Sequence, residues 1–269
     1  MSTRRQTRIN ATAFTISALL GLGALAGCSG GGSNSAPPAP TTSASQTGPA
    51  PAAKSAPALL HGALAALRSG GSVHVDITQT LPGGSVVDSD DATAGGGRQI
   101  MSLGRVAHAT ILFIAGVGYV NADANGLVGF FDVPQPQAAQ FAGRWIALRR
   151  GDKLGMSSYD DVTSGITLSS VATELEPTGT PKLAAPTTIA GQRVAAVQAP
   201  AQVSGLTSKA TEMLYITDNS LLRPVLSEVV AGSSYKFRVS FSHWGEKLHL
   251  TAPANAIPAS SVTPASSIA

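Results

Sequence analysis

The chain has one cysteine, Cys28, which excludes any internal disulfide and leaves an exported domain dependent on its core. Its five histidines do not cluster in sequence, and neither an H-E-x-x-H run nor a cysteine set is present, so zinc has no recognisable ligand spacing. Charge is sparse: Asp, Glu, Lys and Arg make up 12% of the residues. After the first ten residues the densest basic pair is Arg149-Arg150, too little for the basic footprint that nucleic-acid binding requires. Aromatics are 5% of the chain, and Trp145 and Trp244 read as core or interface anchors rather than ligand stacks. No glycine pattern suits a nucleotide, and no apolar run reaches the about 20 residues of a membrane-spanning helix.

What is present begins at the N-terminus. Arg4, Arg5 and Arg8 precede an uncharged, largely apolar stretch from Ala11 to Leu25, and Leu25-Ala26-Gly27 lead into Cys28. That is the plan of a secretory signal. Leu-Ala-Gly-Cys resembles the lipobox of bacterial lipoproteins at all four positions. The resemblance implies a diacylglyceryl group on the Cys28 thiol, cleavage before Cys28 and acylation of the new amine. Residues 1–27 are therefore expected to be a lipoprotein signal peptide, and Cys28 the lipidation site. One acyl chain binds a membrane reversibly, whereas two or three hold it durably. The expected location is the outer (periplasmic or cell-wall) face of the cell membrane. Three arginines and no acid lie before Cys28, so the remainder carries 15 basic and 15 acidic residues and no net charge.

Residues 28–56 form the lipidated cysteine and a linker of Gly, Ser, Ala, Pro and Thr, with Lys54 its only charge. Such a composition has little to bury and is expected to be disordered, reaching roughly 90–100 Å when fully extended. A folded domain is expected over 57–256, and a loose Ser/Ala/Pro tail over 257–269.

Within the domain, Leu59, Leu60, Ala63, Leu64 and Leu67 recur at helical spacing and Ser69-Gly70-Gly71 ends the pattern. Val73, Val75 and Ile77 then alternate with His74, Asp76 and Thr78, which predicts a half-buried strand. Further strands are expected from Val86, at 98–103, 106–114, 119–122, 144–148, 187–189, 194–198, 213–217, 224–230, 235–242 and 247–251. Helices are expected near 137–142 and 163–175. The polar, glycine-rich run VDSDDATAGGG is unusual for a strand region, and Asp88, Asp90 and Asp91 are expected in solvated turns. Hairpin after hairpin with grouped helices reads as α+β, with helices packed on one sheet face.

The segments SVHVDIT, ILFIAGVGYVNAD, FAGRWIAL, TTIAGQRVAAV and FSHWGEKLHLTAPANA occur in the order seen in the LppX/LprG group of actinobacterial lipoproteins, which residues 57–256 resemble. The resemblance implies a strongly curved antiparallel β-sheet, a half-barrel whose concave face is covered by helices, shared with the carrier LolA. It also implies an apolar cavity between sheet and helices that takes acyl chains. The cavity candidates are Val75, Ile77, Phe113, Ile166, Leu168, Val171, Leu175, Phe237, Val239 and Phe241.

Two short motifs compete. Gly27-Cys28-Ser29-Gly30-Gly31 fits G-x-S-x-G but lacks the strand-turn-helix context of a nucleophile elbow. Ser233-Ser234-Tyr235-Lys236 fits S-x-x-K but enters a strand. His74 with Asp76, or His243 and His249, could ligate a metal, although surface or hydrogen-bonded histidines explain them equally simply. The expectation is a non-enzymatic lipoprotein with no catalytic residue, metal or cofactor. It binds or carries lipid or lipoglycan chains, has a membrane transporter as a further partner, touches no nucleic acid and is a monomer. The alternative is an envelope adaptor that docks a protein partner without a lipid ligand.

Overall fold

The computed structural model describes residues 54–81, 84–201, 210–231 and 235–262. The signal peptide, Cys28 and nearly all of the linker lie outside the described residues.

The chain opens with α1 (Ala56–Ser69), started by Ser55, whose side chain accepts from the Ala58 backbone, and by a proline in the first turn. Leu59, Ala63, Leu64 and Leu67 are its buried stripe. Next come β1 (Ser72–Leu81), β2 (Gly84–Thr93), β3 (Gly97–Leu103), β4 (Ala107–Ile114) and β5 (Val117–Ala122). α2 (Ala124–Phe131) and α3 (Gln135–Phe141) precede β6 (Ile146–Leu148). A small hairpin, β7 (Lys153–Leu154) with β8 (Ser157–Ser158), leads to α4 (Tyr159–Val162) and α5 (Leu168–Glu174). The second series is β9 (Lys182–Ile189), β10 (Gln192–Ala201), β11 (Ala210–Thr217), β12 (Pro224–Ala231) and β13 (Tyr235–Ser242). β14 (Ile257–Pro258) and a 3-10 turn at Ala259–Ser261 follow.

Twelve strands form one open sheet in the order β14-β6-β5-β4-β3-β2-β1-β13-β12-β11-β10-β9. It consists of two antiparallel meanders, joined where β1 pairs with β13. Only β14 runs parallel to its neighbour, β6. The tight turns Ala115-Gly116 and Ala190-Gly191 have both central residues at positive φ, the mirror-image turn that suits a right-twisted hairpin. This is the expected α+β half-barrel class, a large sheet that does not close and carries a few helices.

Register shows which face the helices cover. Phe241, Val75, Asp90, Gln99, Ile111, Val120 and Ile146 are successive cross-strand partners and share one side of the sheet. Val75 and Phe241 join one apolar cluster with Leu59, Ala63, Leu67, Leu168 and Val171 of α1 and α5. Ile111, Val120 and Ile146 join a second cluster with Leu127, Phe131, Phe141 and Val162 of α2, α3 and α4. The helices thus pack on this inner face in two groups, with β2 and β3 between them.

Several local expectations change. Asp88, Asp90 and Asp91 lie in β2 rather than in turns. The helix expected at 163–175 is shorter: Gly165 has φ +74°, and Thr167 begins α5 with a capping box to Ser170. Asp161 closes the equivalent box on α4. The glycine-bearing ANGLVGFF forms α2, capped by Asp123. Residues 247–251 form no strand, because both edges of β13 are already taken by β1 and β12. Residues 257–262, expected as loose tail, add β14 to the sheet and bury Ala259 and Val262 in the second cluster.

Candidate functional site

The inner face is covered at one end of the central strands, where Val73, Val75, Asp90 and Ala92 are buried, and more open at the other. Val75, Leu168, Val171, Leu175, Val239 and Phe241 are buried together in the α1–α5 cluster. Ile166 is buried in the other cluster, with Phe113 partly buried against it. Ile77 and Phe237 are only half-buried. The ten cavity candidates are therefore divided between two packed regions and a more open edge.

That edge is a strip across four neighbouring strands. Phe237 on β13, Ile77 on β1, Val86 and Asp88 on β2, and Met101 and Leu103 on β3 are each half-exposed. They share the inner face, because Ile77 pairs with Asp88 and Asp88 with Met101, while Gln79 links Phe237 to Val86 and Val86 pairs with Leu103. Apolar side chains left partly wet on the helix-bearing side of a sheet make a surface suited to an apolar ligand. A small hollow of about 10 Å³, room for one water, is lined by Leu60, Leu175, Pro177, Val197, Ala199, Glu212 and Leu214. It is far smaller than the about 300–1,000 Å³ of typical small-molecule pockets.

The inner face also holds acids. Period-two alternation places Asp88 and Asp90 on it and turns Ser89 and Asp91 outward. Asp90 is 1% exposed. Its Oδ2 accepts from Gln99 Nε2 at 3.3 Å, while its Oδ1 is buried without a partner. Asp88 Oδ1 is likewise buried and unpartnered. Burial pushes the Asp88 pKa up to about 7. Burial, then the neighbouring Asp88 charge, raises Asp90 well above the carboxylate range, and Glu174 adds to it against the opposing Gln99 hydrogen bond. Glu174, at the end of α5, keeps solvent access, yet desolvation by the protein around it lifts its pKa to about 7. Inside the hollow, Glu212 accepts from Ser227 Oγ at 2.8 Å; burial raises its pKa and the hydrogen bond opposes the rise.

Among the described residues, no lysine or arginine pairs with these groups. Every described lysine and arginine is exposed except Arg223, whose guanidinium stacks over the Trp244 ring at 5.1 Å. This one-sided charge is the feature that sequence reading missed. Its signal was the spacing Val86, Asp88, Asp90, Ala92, which puts all four on one side once the segment is taken as a strand.

The outer face carries a separate polar group. His74 Nδ1 lies 2.7 Å from Asp91 Oδ1, and its Nε2 lies 3.3 Å from Asp76 Oδ1. Arg98 also donates to Asp91. Burial lowers the His74 pKa, but the two carboxylates outweigh it and the net shift is upward. For Asp91, the His74 and Arg98 interactions overcome desolvation and hold the pKa down. His74 also stacks obliquely on His243 at 5.4 Å. Among the described residues, no set of three or more His, Cys, Asp or Glu is placed to hold a metal.

No described helix is long and apolar enough to cross a membrane. No family model and no curated protein matches the chain. Among solved structures, it is similar to the lipoprotein LppX of Mycobacterium tuberculosis, at 15% identity and TM-score 0.47, over 72% of this chain and 99% of that one. It is also similar to LprF of Mycobacterium bovis, at 16% identity and TM-score 0.47, over 74% and 97%. The Pseudomonas aeruginosa MucA/MucB complex matches at 12% identity and TM-score 0.39, over 78% and 61%.

Proposed function

We propose that the mature chain is a membrane-anchored envelope lipoprotein that holds an apolar chain of a lipid or lipoglycan against the inner face of its sheet. The observation that supports this reading is the half-exposed strip of Phe237, Ile77, Val86, Met101 and Leu103 at the open end of the helix-bearing face. A sheet face that served only as a core would be covered along its length, since protein interiors pack to about 0.75 of their volume. The Cys28 anchor holds the domain near a membrane. The function is binding or carriage without chemistry. The Ser29 motif falls at the expected signal-to-linker junction, outside the described residues, and Lys236 of the S-x-x-K motif is on β13, where it faces Glu228 at 3.5 Å.

The direct test is mass spectrometry of an organic extract of the protein purified from its native membranes. A co-purifying lipid at about one mole per mole of protein, released only on denaturation, is the expected result. Protein that carries no lipid and takes up no long-chain fluorescent lipid overturns the reading in favour of an adaptor.

A further inference from the structure

Resting on that reading, we infer that the ligand's polar group bound at the strip is a hydrogen-bond donor, an amine or a hydroxyl, and that acidic amphiphiles are rejected. The reasoning begins with position. Asp88 lies within the apolar strip, paired across the ladder with Ile77 on one side and Met101 on the other. Asp90 lies one step along the same face and is almost wholly enclosed. Each has one buried oxygen without a hydrogen-bond partner, and their only described amide donor is Gln99, to the other oxygen of Asp90. Buried polar groups are ordinarily satisfied, so the unpartnered oxygen of half-exposed Asp88, set among Ile77, Val86 and Met101 and one strand position from the buried amide Gln79, calls for a donor from outside the described residues.

Charge gives the second argument. The inner face bears Asp88, Asp90 and Glu212, with Glu174 close enough to act on Asp90, and among the described residues no lysine or arginine points there. An ammonium group entering the strip neutralises the repulsion among Asp88, Asp90 and Glu174. A hydroxyl satisfies the acceptors without changing charge. A carboxylate or phosphate adds one more anion to a low-dielectric site where like charges repel strongly. Recognition by exclusion of the wrong charge is a common route to specificity.

Matched twelve-carbon probes test this. The mature chain from Ser29 onward, which carries neither the apolar signal segment nor an acyl anchor to compete, is loaded with the neutral dye N-phenyl-1-naphthylamine at pH 8. The dye is then displaced with dodecylamine, dodecanol, laurate and dodecyl phosphate. The expected order is amine, then alcohol, with laurate and dodecyl phosphate weaker than the amine by about tenfold or more. Asp88→Asn with Asp90→Asn should bring amine and laurate within about threefold of each other, while circular dichroism stays unchanged. Should the double variant fail to fold, the single Asp88→Asn must still narrow the ratio. Laurate binding as tightly as the amine overturns the inference, as does a ratio that neither variant changes. If the dye does not bind at all, the lipid reading itself fails and takes this one with it; dye binding with the wrong probe order removes only this one.

Discussion

Glu212 on β11 accepts a hydrogen bond from Ser227 on β12, and both side chains are buried on the inner face of the sheet. The pair sits beside Ala199, Val197 and Leu214 in the hollow under α1 and α5. A buried acid next to aliphatic carbons is tolerated only while its oxygens are satisfied or protonated. Ser227→Ala should therefore cost about 1–3 kcal/mol at pH 8 and less at pH 5, where Glu212 is closer to neutral. A double-mutant cycle with Glu212→Gln, read by urea denaturation, checks it; additive single effects would disprove the coupling.

Asp88 sets a pH dependence of defined sign. In the unfolded chain it ionises near the ordinary value of about 3.9, whereas in the fold its pKa is about 7. Between those values the native state keeps a proton that the unfolded state has released, so this group's contribution to stability falls as pH rises from about 4 to about 7. Asp88→Asn should match wild type below pH 4 and be more stable by about 1–3 kcal/mol at pH 8. The outer-face pair behaves separately: the raised His74 pKa contributes stability below 6.5 that is lost as pH rises through its folded pKa. The lowered Asp91 pKa contributes stability above its ordinary value that is lost on acidification through its folded pKa. Comparing the variant with wild type at each pH isolates Asp88.

The glycine run after β2 has a steric purpose at two of its members, Gly96, where a Cβ would come 2.1 Å from the Phe113 carbonyl oxygen, and Gly97. A Cβ on Gly97 would come 2.3 Å from the Ile166 carbonyl oxygen and 2.4 Å from that of Asp91, so the loop before α5 can approach the β2–β3 hairpin only over a glycine. Gly97→Ala should destabilise by about 2 kcal/mol or more. Gly95→Ala, which meets nothing within 4 Å, should change little. Thermal melts of the two variants make the comparison.

Bulk added in two places separates open strip from core. Val86 is half-exposed on the strip, so Val86→Trp should keep the fold and weaken uptake of a long-chain fluorescent lipid. Val239 is 5% exposed within the α1–α5 cluster, and Val239→Trp should cost about 1–3 kcal/mol through overpacking. If the costs are reversed in denaturation curves, the packed and open regions have been exchanged.

Cys28→Ala should abolish both lipidation and cleavage at the lipobox, since no other thiol exists. Metabolic labelling with a fatty-acid probe reads this directly, and equal labelling of both proteins would refute it.

Much of this was legible from local pattern. The stripe of Leu59, Ala63, Leu64 and Leu67, the alternation from Val73 to Ile77 and that from Phe237 to Phe241 each specify an element and its buried side, because helix and strand periods are local properties of the backbone. Pro82 and the Ala-Gly turns mark where hairpins reverse.

What local pattern could not decide was which faces meet. Val75 opposite Phe241 joins residues far apart in the chain, and that pairing both fuses the meanders and denies residues 247–251 a place in the sheet. The acids of β2 read as solvated because isolated Asp residues ordinarily are; only the ladder from Ile77 through Asp88 to Met101 turns them onto the helix-bearing side. The sequence by itself determined the elements and their apolar stripes, through backbone geometry and side-chain hydrophobicity. The tertiary structure decided which polar groups are desolvated, because burial depends on neighbours brought together across the sheet rather than on those adjacent in the chain.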